Sequence, residues 1–255
     1  MRLIGRVALA LLLVAAAAAA EDEDALRAAR TLLAAWHEDP ARIDRARTLL
    51  VAAVATDPAP ETLVELSRAW FLTGDFRTRV ESEREAAYER GSEAARRAVA
   101  IAPLSERAHL WYAINTGRLA ELGGLVRTVA LVSRLRAESE TVLRLNPTSV
   151  DGLILAGGLS AEAPGFMGGD RARAETFFKR ALEADPHQTG GRLELARLYL
   201  ATRRWRDAAR ELQRIVDERS PTDLPRWTMS DLPRARGMLA ELYERGRVTG
   251  PLQSP

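Results

Sequence analysis

The residues with the most chemical reach are three histidines, His37, His109 and His187, and they lie far apart in the chain. None stands in an His-Glu-x-x-His or comparable spacing, so they do not read as a metal site. No cysteine is present to supply a thiolate. Gly168-Gly169-Asp170 lacks the Gly-Lys-Ser/Thr of a phosphate cradle and a preceding strand, so it reads as a helix connector with Asp170 as the next N-cap. There is no Gly-x-Ser-x-Gly elbow, and Glu138 and Glu140, two residues apart, point from different helix faces. The expectation is a protein that is not an enzyme and carries no cofactor and no metal. Arginine forks and the tryptophans Trp36, Trp70, Trp111, Trp205 and Trp227 remain. Trp70, Trp111 and Trp205 read as inter-helix packing, whereas Trp227, in a connector, is placed to cover a stack or close a groove.

The chain holds 37 basic and 35 acidic residues among 255, with Lys179 the sole lysine. Arg2 and Arg6 fall in the first twenty residues, which carry no acid, so the remainder is formally neutral. That balance gives no general drive toward nucleic acid. Residues 1–20 have a basic start, an uncharged run from Val7 to Ala20 and small residues before Glu21. This is the layout of a secretory signal peptide, too short for the roughly 20-residue apolar helix that spans a bilayer. Cleavage after Ala20 would place the product in the periplasm or outside the cell, with no membrane span left and no lipidation cysteine.

Beyond residue 20, apolar residues recur at three and four spacings and no run alternates like a strand, which predicts helix almost throughout. Pro58, Pro103, Pro147, Pro186 and Pro221 each follow an amphipathic helix, at intervals of 45, 44, 39 and 35 residues. The last interval matches the tetratricopeptide length of about 34. Ala174, Phe178, Ala181 and Pro186 repeat the spacing of Ala46, Leu50, Ala53 and Pro58. The second unit turns at Gly74-Asp75-Phe76, with Gly74 as helix stop and Asp75 as the next cap. Extra residues near 77–85 and 117–128 lengthen units two and three. The expected fold is all-α: a tetratricopeptide-like superhelix of about five helix pairs over residues 21–246, closed by a capping helix with Asp231 as N-cap and Pro233 in its first turn. Residues 247–255 read as a disordered tail.

Three stretches resemble a known family: Ala87-Tyr88-Glu89-Arg90-Gly91 with Ala98 and Pro103; His109-Leu110-Trp111-Tyr112-Ala113; and Pro164-Gly165-Phe166-Met167-Gly168-Gly169-Asp170 running into Ala174 and Phe178. Over about residues 60–245 the chain resembles the T-component of TRAP transporters, with a looser likeness to eukaryotic regulators of microtubule dynamics. The resemblance implies a helical-repeat fold with a ligand-accommodating cavity, docking of a periplasmic solute-binding P-component, and a fold compatible with homo-oligomers. The alternative function is a general tetratricopeptide adaptor for protein–protein interaction in the cell envelope.

First helices of such repeats line the concave side, and the register places Arg68, Phe71, Ile114, Arg118 and Arg197 there. These residues predict an arginine-bearing, partly apolar groove for a small carboxylate or apolar ligand, or for an acidic peptide of another protein.

Overall fold

The computed structural model describes residues 23–163, 165 and 168–250. The signal-peptide reading of residues 1–20 therefore lies outside the described residues, as do Pro164, Phe166 and Met167 of the third resemblance stretch. Among the described residues every regular element is helical, which agrees with the all-α repeat expectation. In chain order they are α1 (residues 23–34), α2 (Ala41–Thr56), α3 (Pro60–Leu72), α4 (Glu81–Ile101), α5 (Glu106–Leu122), α6 (Gly124–Leu145), α7 (Val150–Glu162), α8 (Arg171–Ala184), α9 (Thr189–Ala201), α10 (Trp205–Asp217), the single turn α11 (Leu224–Arg226) and α12 (Leu232–Glu244).

The prolines set the ends. α2, α4, α6 and α8 stop at Thr56, Ile101, Leu145 and Ala184, each two residues before a proline. Proline lacks the N–H the next turn needs and biases its predecessor away from helix. The starts of α5, α7 and α8 are capped by a Ser or Asp: Ser105 accepts from the Ala108 N–H, Ser149 from that of Gly152, and Asp170 from those of Ala172 and Arg173. The Asp170 cap is the one its sequence position predicts.

The helices α2, α4, α6, α8 and α10 each bury a triplet at i, i+4 and i+7. Ala46, Leu50 and Ala53 on α2, Gly91, Ala95 and Ala98 on α4, and Ala174, Phe178 and Ala181 on α8 are buried. Leu135, Ser139 and Val142 on α6 and Ala208, Leu212 and Ile215 on α10 occupy the same register, also buried. This spacing keeps one stripe facing the partner helices. Gly91 and Gly157 are small because a neighbour needs the space: a Cβ would lie 2.4 Å from Asn115 Oδ1 at the first and 2.5 Å from the Phe178 ring at the second.

The chain divides into two compact units between Gly123 and Gly124. Gly124 has φ 66°, a left-handed value that costs glycine nothing. The first unit packs α1 to α5 around Leu33, Trp36, Ile43, Leu50, Leu63 and Tyr88. The second has its core at Phe178, Leu193, Leu212 and Ile215, with α12 against α10.

Four local expectations are corrected. Gly74 does not stop a helix: α3 runs on as a π-helical turn over Thr73–Arg77, and the glycine makes room for the Tyr88 ring, which packs where a side chain at residue 74 would be. Asp75 does not cap α4. Its carboxylate turns toward Tyr88 and Arg118, and α4 begins at Glu81 without a side-chain cap. Asp231 is helical and buried, accepting from the Thr189 hydroxyl at 2.8 Å rather than capping α12, although Pro233 does sit in the first turn. The tail does not begin at residue 247, since Val248 is buried in the second core and the Arg247 guanidinium lies over Trp205; residues 251–255 lie outside the described residues.

Candidate functional site

α3 and α5 pack directly on each other in the first unit, bringing together four of the five residues the sequence nominates. Arg68 and Phe71 belong to α3, Ile114 and Arg118 to α5. Phe71 is buried, its ring centroid 5.5 Å from that of Trp111 and 6.4 Å from that of Tyr88. Ile114 is half-buried against the same core. Phe71 thus packs the core, where the sequence reading gives it to a ligand.

Arg118 reaches across to the π-helical turn. Its Nη2 donates to Asp75 Oδ2 at 3.1 Å and its Nη1 to Glu121 at 2.8 Å, while its Cζ lies 5.5 Å from the Phe71 ring centroid. Burial disfavours the cation, yet the Asp75 and Glu121 carboxylates more than offset that and raise its pKa. Tyr88 donates to the other Asp75 oxygen at 2.6 Å. Burial and the nearby Asp75 charge push the phenol up to about 12.

Arg68 is held differently. Its closest carboxylate contact, to Glu65 Oε2, is 3.6 Å, too long for a hydrogen bond. Glu65 is almost wholly buried, and its Oε1 accepts from Arg30 at 3.1 Å and Arg107 at 2.8 Å. Both guanidiniums also reach the exposed Glu61. Three guanidiniums, from α1, α3 and α5, thus converge on two carboxylates, and Glu65 Oε2 is buried without a hydrogen-bond partner. Burial raises the Glu65 pKa, and the arginines, Arg107 foremost, outweigh burial and hold it below the usual carboxylate value. Sequence reasoning missed Glu65, Arg30 and Arg107. What forces partners on Glu65 is tertiary: Thr62 to Ser67 is buried on every face in the folded chain, so a charge inside that run requires partners.

The fifth nominee, Arg197, lies in the second unit, exposed and bonded to Glu194 three residues before it at 2.9 Å. In that unit the better-connected groups are Glu175, which accepts from Tyr199 and Arg204, and Arg192, paired with Glu211 at 2.6 Å. His109 is buried with Nε2 3.0 Å from the Pro103 carbonyl, and His187 Nδ1 is 3.1 Å from Glu218. Among the described residues no group of three or more acids and histidines is placed to hold a metal ion. Nor, among them, is any helix long and apolar enough to cross a membrane. Trp227 is half-buried, and its indole N–H donates to the Ile215 carbonyl at 2.9 Å, fixing it on the second core.

The family model described as Regulator of microtubule dynamics protein 1-3 matches residues 21–160. The chain belongs to that family. A Tetratricopeptide repeat model matches residues 166–230. Of the two likenesses stated from sequence, the looser one is thus the one with a matching family model. A thermophilic TPR protein of Thermus thermophilus has a similar structure, at 22% identity and TM-score 0.67, covering 86% of this chain and 99% of that one. The structure of Pseudomonas aeruginosa pilF is similar at 16% identity and TM-score 0.51, covering 89% and 95%. At such identities the likeness shows the helical-repeat fold alone. No curated protein sequence matches the chain.

Proposed function

We propose that this chain is a non-catalytic helical-repeat adaptor that docks an acidic segment of another protein on α3 and α5. The observation that carries the reading is the cluster of Arg30, Arg68 and Arg107 around Glu61 and Glu65. Arg30 and Arg107 are held by hydrogen-bonded carboxylates, whereas the Arg68 guanidinium has its nearest acid at 3.6 Å. A partner carboxylate meeting Arg68 gains a charge-assisted, bidentate bond that Glu65 does not supply. Tetratricopeptide repeats use a rigid surface of this kind for protein docking.

The finer reading names the partner as the solute-binding protein of a TRAP transporter and the compartment as extracytoplasmic. It rests on the three resemblance stretches and on the composition of residues 1–20.

A photo-cross-linking residue in place of the exposed Glu61 tests the docking surface. In the native host, irradiation should give one discrete protein adduct, and Arg68→Glu in the same background should remove it. No adduct, or one indifferent to Arg68, would discard the proposal. Identifying the adduct decides between a solute-binding protein and another envelope partner.

A further inference from the structure

A second cluster of guanidiniums lies elsewhere in the first unit, around Trp70. A cavity of about 440 Å³ is bordered by Asp44 and Arg47 of α2, Trp70 of α3, Thr73 and Arg77 of the π-helical turn, Thr78, and Glu83 and Arg90 of α4. It is a concave surface that opens to solvent rather than an enclosed chamber. The Arg47 and Arg90 guanidinium carbons are 4.7 and 4.8 Å from the Trp70 ring centroid. These two cations are therefore within about 10 Å of each other, close enough to repel unless an anion lies near both.

The local acids do not neutralise the cluster. Asp44 is shared by Arg77, at 2.7 Å, and Arg47, at 3.2 Å. Arg47 spends another donor on the Thr73 hydroxyl at 2.9 Å. Glu83 accepts from the Thr78 hydroxyl. Arg90 stands apart: it is exposed, and among the described residues it has the Trp70 ring but no carboxylate. The π-helical turn matters here, because the chain path it gives Thr73–Arg77 is what brings Arg77 back to Asp44.

We propose that this cavity binds an oxyanion, a carboxylate or phosphate, attached to a planar or apolar group. Arg90 and Arg47, both over the Trp70 ring, grip the anion, and the attached group lies against Ala86 and Ala87 of α4. An arginine fork suits either oxyanion, and the alanine methyls supply a small apolar wall. The shared chemistry admits two sources, a free organic phosphate or the C-terminal carboxylate of a peptide. The site is separate from the Arg68 surface, so its failure leaves the docking proposal standing.

Calorimetric titration of the purified chain tests this with phenyl phosphate, and with a tetrapeptide carrying a free C-terminal carboxylate beside its amidated form. Saturable binding of phenyl phosphate, weakened at least tenfold by Arg90→Gln, supports the site and points to a small organic anion. Binding of the free peptide with loss on amidation supports the site and points to a protein terminus. Gln is as good a helix former as Arg, and Arg90 is exposed, so Arg90→Gln should keep the helical circular dichroism of the parent. If it does not, Arg47→Gln takes its place, with the same tenfold loss expected. Absence of saturable binding by either probe, or equal affinity in the folded variant, overturns the proposal and leaves a cavity that holds only solvent and mobile ions.

Discussion

Glu65 and Arg118 look alike in sequence, as charged residues of amphipathic helices, yet they differ from ordinary surface charges through partners far along the chain. Glu65 takes its hydrogen bonds from Arg30 and Arg107, 35 and 42 residues away. Removing its charge leaves two guanidiniums facing a neutral amide oxygen in place of the carboxylate they share, so Glu65→Gln should cost about 2 kcal/mol of stability, read by urea unfolding at neutral pH. Because folding lowers the Glu65 pKa, its contribution is present above the ordinary glutamate value of 4.5 and is lost as pH falls through the lower folded value. Acid unfolding should accordingly be shallower in the Gln variant. Tyr88 acts at the other extreme. Its folded pKa of about 12 exceeds the unfolded 10.0, so its contribution is intact below pH 10 and fades as pH rises toward 12. Tyr88→Phe should lose part of that alkaline dependence, followed by unfolding at fixed denaturant across the range. Arg118→Ala strips Asp75 of its cation and should destabilise the first unit by about 2 kcal/mol, whereas Arg197→Ala, exposed and paired only locally, should change stability by less than about 0.5 kcal/mol. Comparing their urea midpoints checks both.

The elements were readable where their cause is local. Prolines end helices through their own backbone, and a buried triplet at i, i+4 and i+7 needs only one helix to declare itself, so pair boundaries follow from sequence. Asp170 caps α8 for the same reason: its acceptors serve amides two and three residues on. Where the cause is tertiary, local reading failed. Asp75 looks like a cap, but Tyr88 and Arg118, 13 and 43 residues away, draw its carboxylate inward. The same limit hid Glu65 and the Trp70 cavity, whose walls come from three helices and a turn. Helix crossings give a sharper prediction. A methyl at Gly157 would sit 2.5 Å from the Phe178 ring, a rigid, fully buried wall. Gly157→Ala should therefore destabilise α7 and α8 by about 2 kcal/mol despite the better helix propensity of alanine, seen as faster amide exchange in α7 and α8.

At the scale of the whole molecule, the chain is two helical units with separate cores, one centred on Leu50, Leu63 and Tyr88 and the other on Phe178, Leu193 and Leu212. Repeat stability is a sum over units and their neighbours, so a core lesion in one unit should register there first. Leu63→Ala removes a fully buried side chain and should cost about 3 kcal/mol, with exchange protection falling across α2–α5 before α8–α10. Functionally, a repeat array supplies a rigid surface, and what it recognises is set by the side chains displayed on it. In the function proposed above those are the guanidiniums around Glu65, with Arg68 the one short of a hydrogen-bonded acid. The most direct test of that account is selection of displayed peptides on the purified chain, run in parallel on Arg68→Glu. The account predicts enrichment of acidic sequences on the parent that vanishes on the variant. No enrichment, or the same enriched sequences on both proteins, would contradict it.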